Sequence, residues 1–95
     1  MPNGVQAVQS THAAINFIMQ YPAESRQWFT ESNYLCQLSA KDEWQLEEYA
    51  VKAENLGLKI SRFYEPDLNN QLTAICIEPG EITKKLVRKL PLMFK

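Results

Sequence analysis

The sequence predicts a three-layer α/β/α domain with a small mixed sheet, and three observations predict it. Apolar residues recur at helical spacing from the start, at Val5, Val8, His12, Ile15 and Met19. Runs of β-forming residues occupy 33–38, 58–64 and 72–77. An amphipathic helical stretch separates the first run from the second, and strand, helix, strand in that order make a right-handed parallel crossover with helices on the sheet's faces.

Taken in order, Val5 to Tyr21 reads as a mostly buried first helix, ended by Pro22. Pro22 to Phe29 reads as a short second helix with proline in its first turn and Trp28 and Phe29 as anchors. The strand at 33–38 hands over to Ser39-Ala40-Lys41-Asp42, a serine with a carboxylate three residues on, which predicts a capped helix. That helix runs to about Leu56, burying Trp44 or Leu46, Tyr49, Ala50, Ala53 and Leu56 while its glutamates face water, and Gly57 stops it. Leu72 to Ile77 is apolar except for Thr73, as expected of a central strand covered on both faces. A last helix from Ile82 to Leu90 is closed by Pro91. Only three strands are visible, so a missing strand supplied by a second subunit, giving a homodimer, is the expectation.

The 95 residues suffice for one domain with one core, spanning 1–95, and contain no repeat or linker. A formal net charge of -1 gives no global attraction to nucleic acid, yet Lys84, Lys85, Arg88, Lys89 and Lys95 concentrate half of the ten cations near the C-terminus. The opening Met1-Pro2-Asn3-Gly4 has no charged and apolar leader pattern, and no apolar run approaches the ~20 residues that cross a bilayer. A cytoplasmic protein with no membrane partner is expected. Cys36 and Cys76 read as core thiols, since they lack Cys-x-x-Cys spacing, and His12 is the single histidine. No metal and no cofactor are expected.

The stretch richest in chemistry is Glu65-Pro66-Asp67-Leu68-Asn69-Asn70-Gln71, between two apolar runs. A hairpin that only reverses direction normally uses glycine, and this one has none. Asn69 and Asn70 tolerate the left-handed region, and two carboxylates and three carboxamides gather at one end of the sheet.

Three motifs taken together resemble the type II peptidyl-tRNA hydrolases. They are Ala7, Gln9, His12 and Ala13 on the first helix, Leu56-Gly57-Leu58 after the middle helix, and Thr73, Ile77 and Pro79 around the last strand. The resemblance covers nearly the whole chain in order and spacing. Two departures accompany it. The lysine that family members carry before the first helix has no counterpart, since the first lysine here is Lys41, and the family's Asp-Ala-Gly-Arg-Thr-Gln loop is replaced by Glu65 to Gln71, which lacks its arginine. In this it looks like a compact bacterial and phage branch of the superfamily.

The resemblance implies attack of water on the ester joining a peptide to tRNA, which needs a base and donors for the developing oxyanion. Glu65 or Asp67 could serve as base. Thr73 with Asn70 or Gln71 could position water or donate, Gln9 could bind, and His12 could orient a carboxylate or carry a proton. No serine or cysteine is paired with histidine by spacing, so direct hydrolysis is expected. Lys84, Lys85 and Arg88 could meet phosphates of peptidyl-tRNA. The competing expectation is a non-catalytic binding or assembly module of the same fold, homodimeric or bound to a protein partner. Trp28 and Trp44 are expected as core or interface anchors.

Overall fold

The computed structural model describes residues 3–31, 37–38 and 40–92. Among the described residues four helices, α1 (Asn3–Gln20), α2 (Pro22–Glu31), α3 (Glu43–Asn55) and α4 (Glu81–Val87), accompany an antiparallel hairpin of β1 (Ile60–Glu65) and β2 (Gln71–Ile77). Helix α1 packs along one face of the hairpin and α3 along the other, with α4 beside α3, which is the expected α/β/α layering. The expected strand at 33–38 lies almost wholly outside the described residues. Of it, Leu38 forms an isolated antiparallel bridge with Leu92.

Pairing register assigns side chains to the two faces. Ile60 opposes Ile77 and Arg62 opposes Ile75, and this set meets Ala50 and Ala53 of α3, joined by Leu58 and by Leu86 of α4. Ser61, Phe63 and Glu65 point the other way, as period-two alternation requires, and meet α1. Two alanines let α3 approach the strands closely.

Helix α1 differs from the expected packing. Its buried stripe is Gln9, Ala13 and Phe17, whereas Val5, Val8, Ile15, Ile18 and Met19 are exposed. The small Ala13 and the flat ring of Phe17 fit against the hairpin, and the polar ends Gln9 and Gln20 find partners there, so the more apolar stripe is left outward. Gln20 accepts from Ser61 Oγ at 2.7 Å, and Tyr21 donates its hydroxyl to the Ile60 carbonyl at 3.2 Å. The eleven-residue step from Gln9 to Gln20 spans ~16 Å of helix, close to the ~13 Å from Ser61 to Glu65, so α1 is fastened at both ends of β1.

The cap of α3 is Asp42: its Oδ1 accepts from the Gln45 amide at 2.9 Å, and Gln45 Oε1 accepts from the Lys41 amide at 2.7 Å; Ser39 lies outside the described residues. At its other end Gly57 takes φ +77°, with Leu58 N–H bonded to Ala53 O and Gly57 N–H to Glu54 O, the paired bonds of a Schellman stop. Trp44 is 84% exposed and Leu56 and Phe29 are also exposed, so none of the three is a core anchor within one chain. Glu47 and Glu54 are half open to water, and they also bind Arg62, which reaches from β1 to Glu54 at 2.8 Å and Glu47 at 3.2 Å. The last helix ends at Val87, short of Leu90.

Candidate functional site

The expected loop is a 3₁₀ turn at Pro66–Leu68 followed by Asn69 (φ 56°) and Asn70 (φ 59°), both left-handed. Proline supplies the fixed φ that begins the turn and the two asparagines replace the glycines that such a reversal otherwise needs. The Glu65 carbonyl accepts from Asn70 N–H at 2.9 Å, closing the loop.

Glu65 is the centre of the site. Its Oε1 accepts from the Asp67 amide at 3.2 Å, and its Oε2 accepts from Gln9 Nε2 at 2.8 Å. Gln9 is 6% exposed, so this is a short charge-assisted bond made largely out of water. With its amide nitrogen committed to a carboxylate, Gln9 must turn Oε1 the other way, toward Thr73 Oγ1 at 3.4 Å. Thr73 Oγ1 also lies 3.4 Å from the Phe63 carbonyl. Both contacts are long, so the hydroxyl is loosely held and free to turn to another acceptor.

Thr73 reaches this side of the sheet because of a register shift. Phe63 pairs with Ala74 but Tyr64 pairs with Leu72, which leaves Thr73 as the extra residue of a β-bulge. Under strict alternation Thr73 would share the face of Ile75, toward α3; the bulge turns it to Gln9 on α1 instead. The Glu43 carboxylate takes the Leu72 amide at 3.0 Å, satisfying a backbone donor beside the irregularity.

His12 stands next to this cluster, its ring stacked on Phe63 at 4.7 Å between centroids and 11° from parallel. Among the described residues its ring bonds no carboxylate, so it does not orient Glu65 or Asp67 here. Asp67, Asn70 and Gln71 are exposed at the loop and at the start of β2. Lys84, Lys85 and Arg88 are exposed on and just after α4, which packs with α3, so the basic group and the Glu65 cluster lie on opposite sides of the sheet. Lys84 is itself paired with Glu81 at 3.4 Å. Phe63 and Glu43 were not singled out by their sequence context. Phe63 could have been, since it shares the alternating face of Glu65, whereas nothing local marks Glu43 as reaching 29 residues ahead.

Cys76 sits half-buried in β2, and burial pushes its thiol up to about 11, which keeps it protonated and unreactive at neutral pH. Cys36 lies outside the described residues. Among the described residues no group of three or more His, Cys, Asp or Glu could hold a metal ion, and no helix is long and apolar enough to cross a membrane.

A helix laid on a short bulged hairpin, with a carboxylate held by an amide beside a hydroxyl, is an α/β scaffold carrying a polar cluster suited to handling water. The profile of the family described as Peptidyl-tRNA hydrolase PTH2 matches residues 1–93, and the chain belongs to that family. No curated protein matches the sequence.

Proposed function

We propose that the chain hydrolyses the ester of peptidyl-tRNA, with Glu65 as the base that activates water. The observation that carries this reading is the Gln9 to Glu65 bond at 2.8 Å, which fixes one carboxylate oxygen and leaves lone pairs on a half-exposed group. Water attacks the ester carbonyl, Glu65 takes its proton, and the tetrahedral oxyanion needs a donor. Thr73 Oγ1, loosely held at 3.4 Å, can turn to supply it, with Asn70 or Gln71 on the loop as further donors. Collapse expels the ribose oxygen, which takes up a proton; Asp67 and His12, both exposed beside the cluster, are the groups placed to relay it. Lys84, Lys85 and Arg88 contact phosphates on the far side of the sheet and hold the polyanion without touching the ester. The Glu65 to Gln71 loop, without the family's arginine, supports placing the chain in a compact bacterial and phage branch of the family.

The competing reading is a module that binds the same substrate without cleaving it. It is favoured by one observation, that no lysine precedes Lys41, so the lysine that family members carry before the first helix is not among these residues. Incubating purified protein with peptidyl-tRNA separates the two. Peptide release above buffer, reduced in Asp67→Ala and in His12→Ala, supports the hydrolase; tight binding with no release supports the module. Binding to tRNA at two salt concentrations should weaken steeply with salt, and the slope should fall in Lys84→Ala with Lys85→Ala. No binding at low salt would remove tRNA as the partner.

A further inference from the structure

On the α3 side of the sheet, away from Glu65, an open groove runs between the start of α3 and the residues just after α4. Lys41, Gln45 and Tyr49 line it from one element and Lys89, Leu90 and Pro91 from the other. Its volume is about 440 Å³, within the ~300–1,000 Å³ of small-molecule sites. The polar lining consists of donors. Gln45 Oε1 accepts from the Lys41 amide at 2.7 Å, which leaves Gln45 Nε2 for another acceptor. Among the described residues Lys41 and Lys89 make no ion pair, the Tyr49 hydroxyl bonds no acceptor, and no Asp or Glu lines the groove. The acids nearest in sequence are already engaged, Asp42 with the Gln45 amide at 2.9 Å and Glu48 with Lys52 at 3.4 Å. Lys52 Nζ in turn lies 5.4 Å from the centre of the Tyr49 ring. Two unpaired ammonium groups from separate elements thus share one concave surface, and an anion between them relieves their repulsion.

We propose that this groove seats one nucleotide of an RNA strand, its phosphate between Lys41 and Lys89 and its base against Leu90, Pro91 and the Tyr49 ring. The identity of the polyanion rests on the reading of the substrate as peptidyl-tRNA; the groove itself takes no part in the proposed hydrolysis. Continuity of charge favours a strand over a lone carboxylate. Lys84, Lys85 and Arg88 are exposed on the same side and lead along α4 to Lys89, so a polyanion can engage all four where a single carboxylate engages one or two. The apolar floor gives a base a surface that a solvated row of lysines lacks. The packing also sets a direction. Leu86 of α4 meets Ala50 and Ala53, whereas Lys89 to Pro91 meet Gln45 and Tyr49, nearer the start of α3. Glu43, two residues from Lys41, holds the Leu72 amide beside the loop. A strand laid along α4 is therefore led by the groove toward the end of the hairpin that carries Glu65.

Fluorescence anisotropy of a short labelled single-stranded RNA, titrated with the full chain over a salt series, tests this. Lys41→Ala with Lys89→Ala, both at exposed positions, should lower the slope of log affinity against log salt by ~1.4, at ~0.7 for each phosphate contact on a single strand. Tyr49→Phe should weaken binding and leave the slope as it is, since it removes a donor and no charge. Lys59→Ala, whose lysine pairs with Glu24 at 3.3 Å outside the groove, should leave both unchanged. Absence of RNA binding by the wild type overturns the proposal, as does a slope that the double variant does not lower or that Lys59→Ala lowers as much. Displacement of the RNA by an aspartate-rich peptide at equal concentration also overturns it, because the groove would then select charge alone. Peptide release is a separate readout. A chain that shows the groove-dependent slope without releasing peptide loses the hydrolase reading and keeps this one, and a chain that releases peptide with an unaltered slope loses this one alone.

Discussion

Gln9 and Glu65, 56 residues apart, meet through a 2.8 Å bond from amide to carboxylate that ties the first helix to the far end of the hairpin. Gln9 is buried and both ends of its amide are used, one on Glu65 and one facing Thr73. Structure and site therefore share this residue. Replacing it tests both at once.

Gln9→Leu should cost about 1.5–3 kcal/mol, the range for a hydrogen bond to a charged group, read by urea denaturation. Gln9→Glu should cost more at pH 7, because two carboxylates would then face each other. Its deficit should shrink as pH falls through the carboxylate range and the pair shares a proton. A pH-independent deficit would mean that residue 9 no longer faces Glu65.

Thr73→Val separates chemistry from folding. The hydroxyl's two contacts are both 3.4 Å, so their loss should change stability by less than about 1 kcal/mol. Peptide release should fall about 10–100-fold, as for loss of an oxyanion donor partly replaced by neighbours, and Thr73→Ser should recover most of it. Equal rates in Thr73→Val and the wild type would remove the hydroxyl from the reaction.

Arg62 links β1 to α3, and its hydrogen bond to Glu54 holds that carboxyl below its usual range. A carboxyl depressed in the folded state binds fewer protons folded than unfolded. The stabilisation is thus present above the ordinary glutamate range and is lost as pH falls through the folded value. Thermal melts of Arg62→Met should show a flatter acid limb than the wild type, with the two curves converging at low pH. Parallel curves would show that the pair does not contribute in solution.

Asn69 and Asn70 hold the loop at positive φ. Asn69→Gly with Asn70→Gly should preserve the melting temperature, whereas Asn69→Val should lose about 1–2 kcal/mol because a β-branched side chain is strained there. If valine is tolerated without loss, the loop has another conformation in solution.

The layering and the loop were legible in the sequence because each rests on local chemistry. Pro66 begins the 3₁₀ turn, the two asparagines take the left-handed region, and Gly57 stops α3 where its flexibility is needed. Glu65 was singled out by the composition of its loop and Gln9 and Thr73 by the family resemblance, whereas the contacts that join them were not legible. What local pattern could not give was the face each helix presents. On α1 the more apolar stripe faces out, because small and polar residues fit the hairpin better. Trp44, in the first turn of α3, also faces out. The bulge at Thr73 was equally hidden, since an apolar run carries no mark of where its register slips.

The most direct measurement is single-turnover release of peptide from peptidyl-tRNA by the wild type and by Glu65→Gln. The substitution keeps an acceptor for Gln9 and removes the base, so release should fall at least ~100-fold while tRNA binding and the melting temperature change little. Release by Glu65→Gln at the wild-type rate would contradict the assignment of Glu65 as the base.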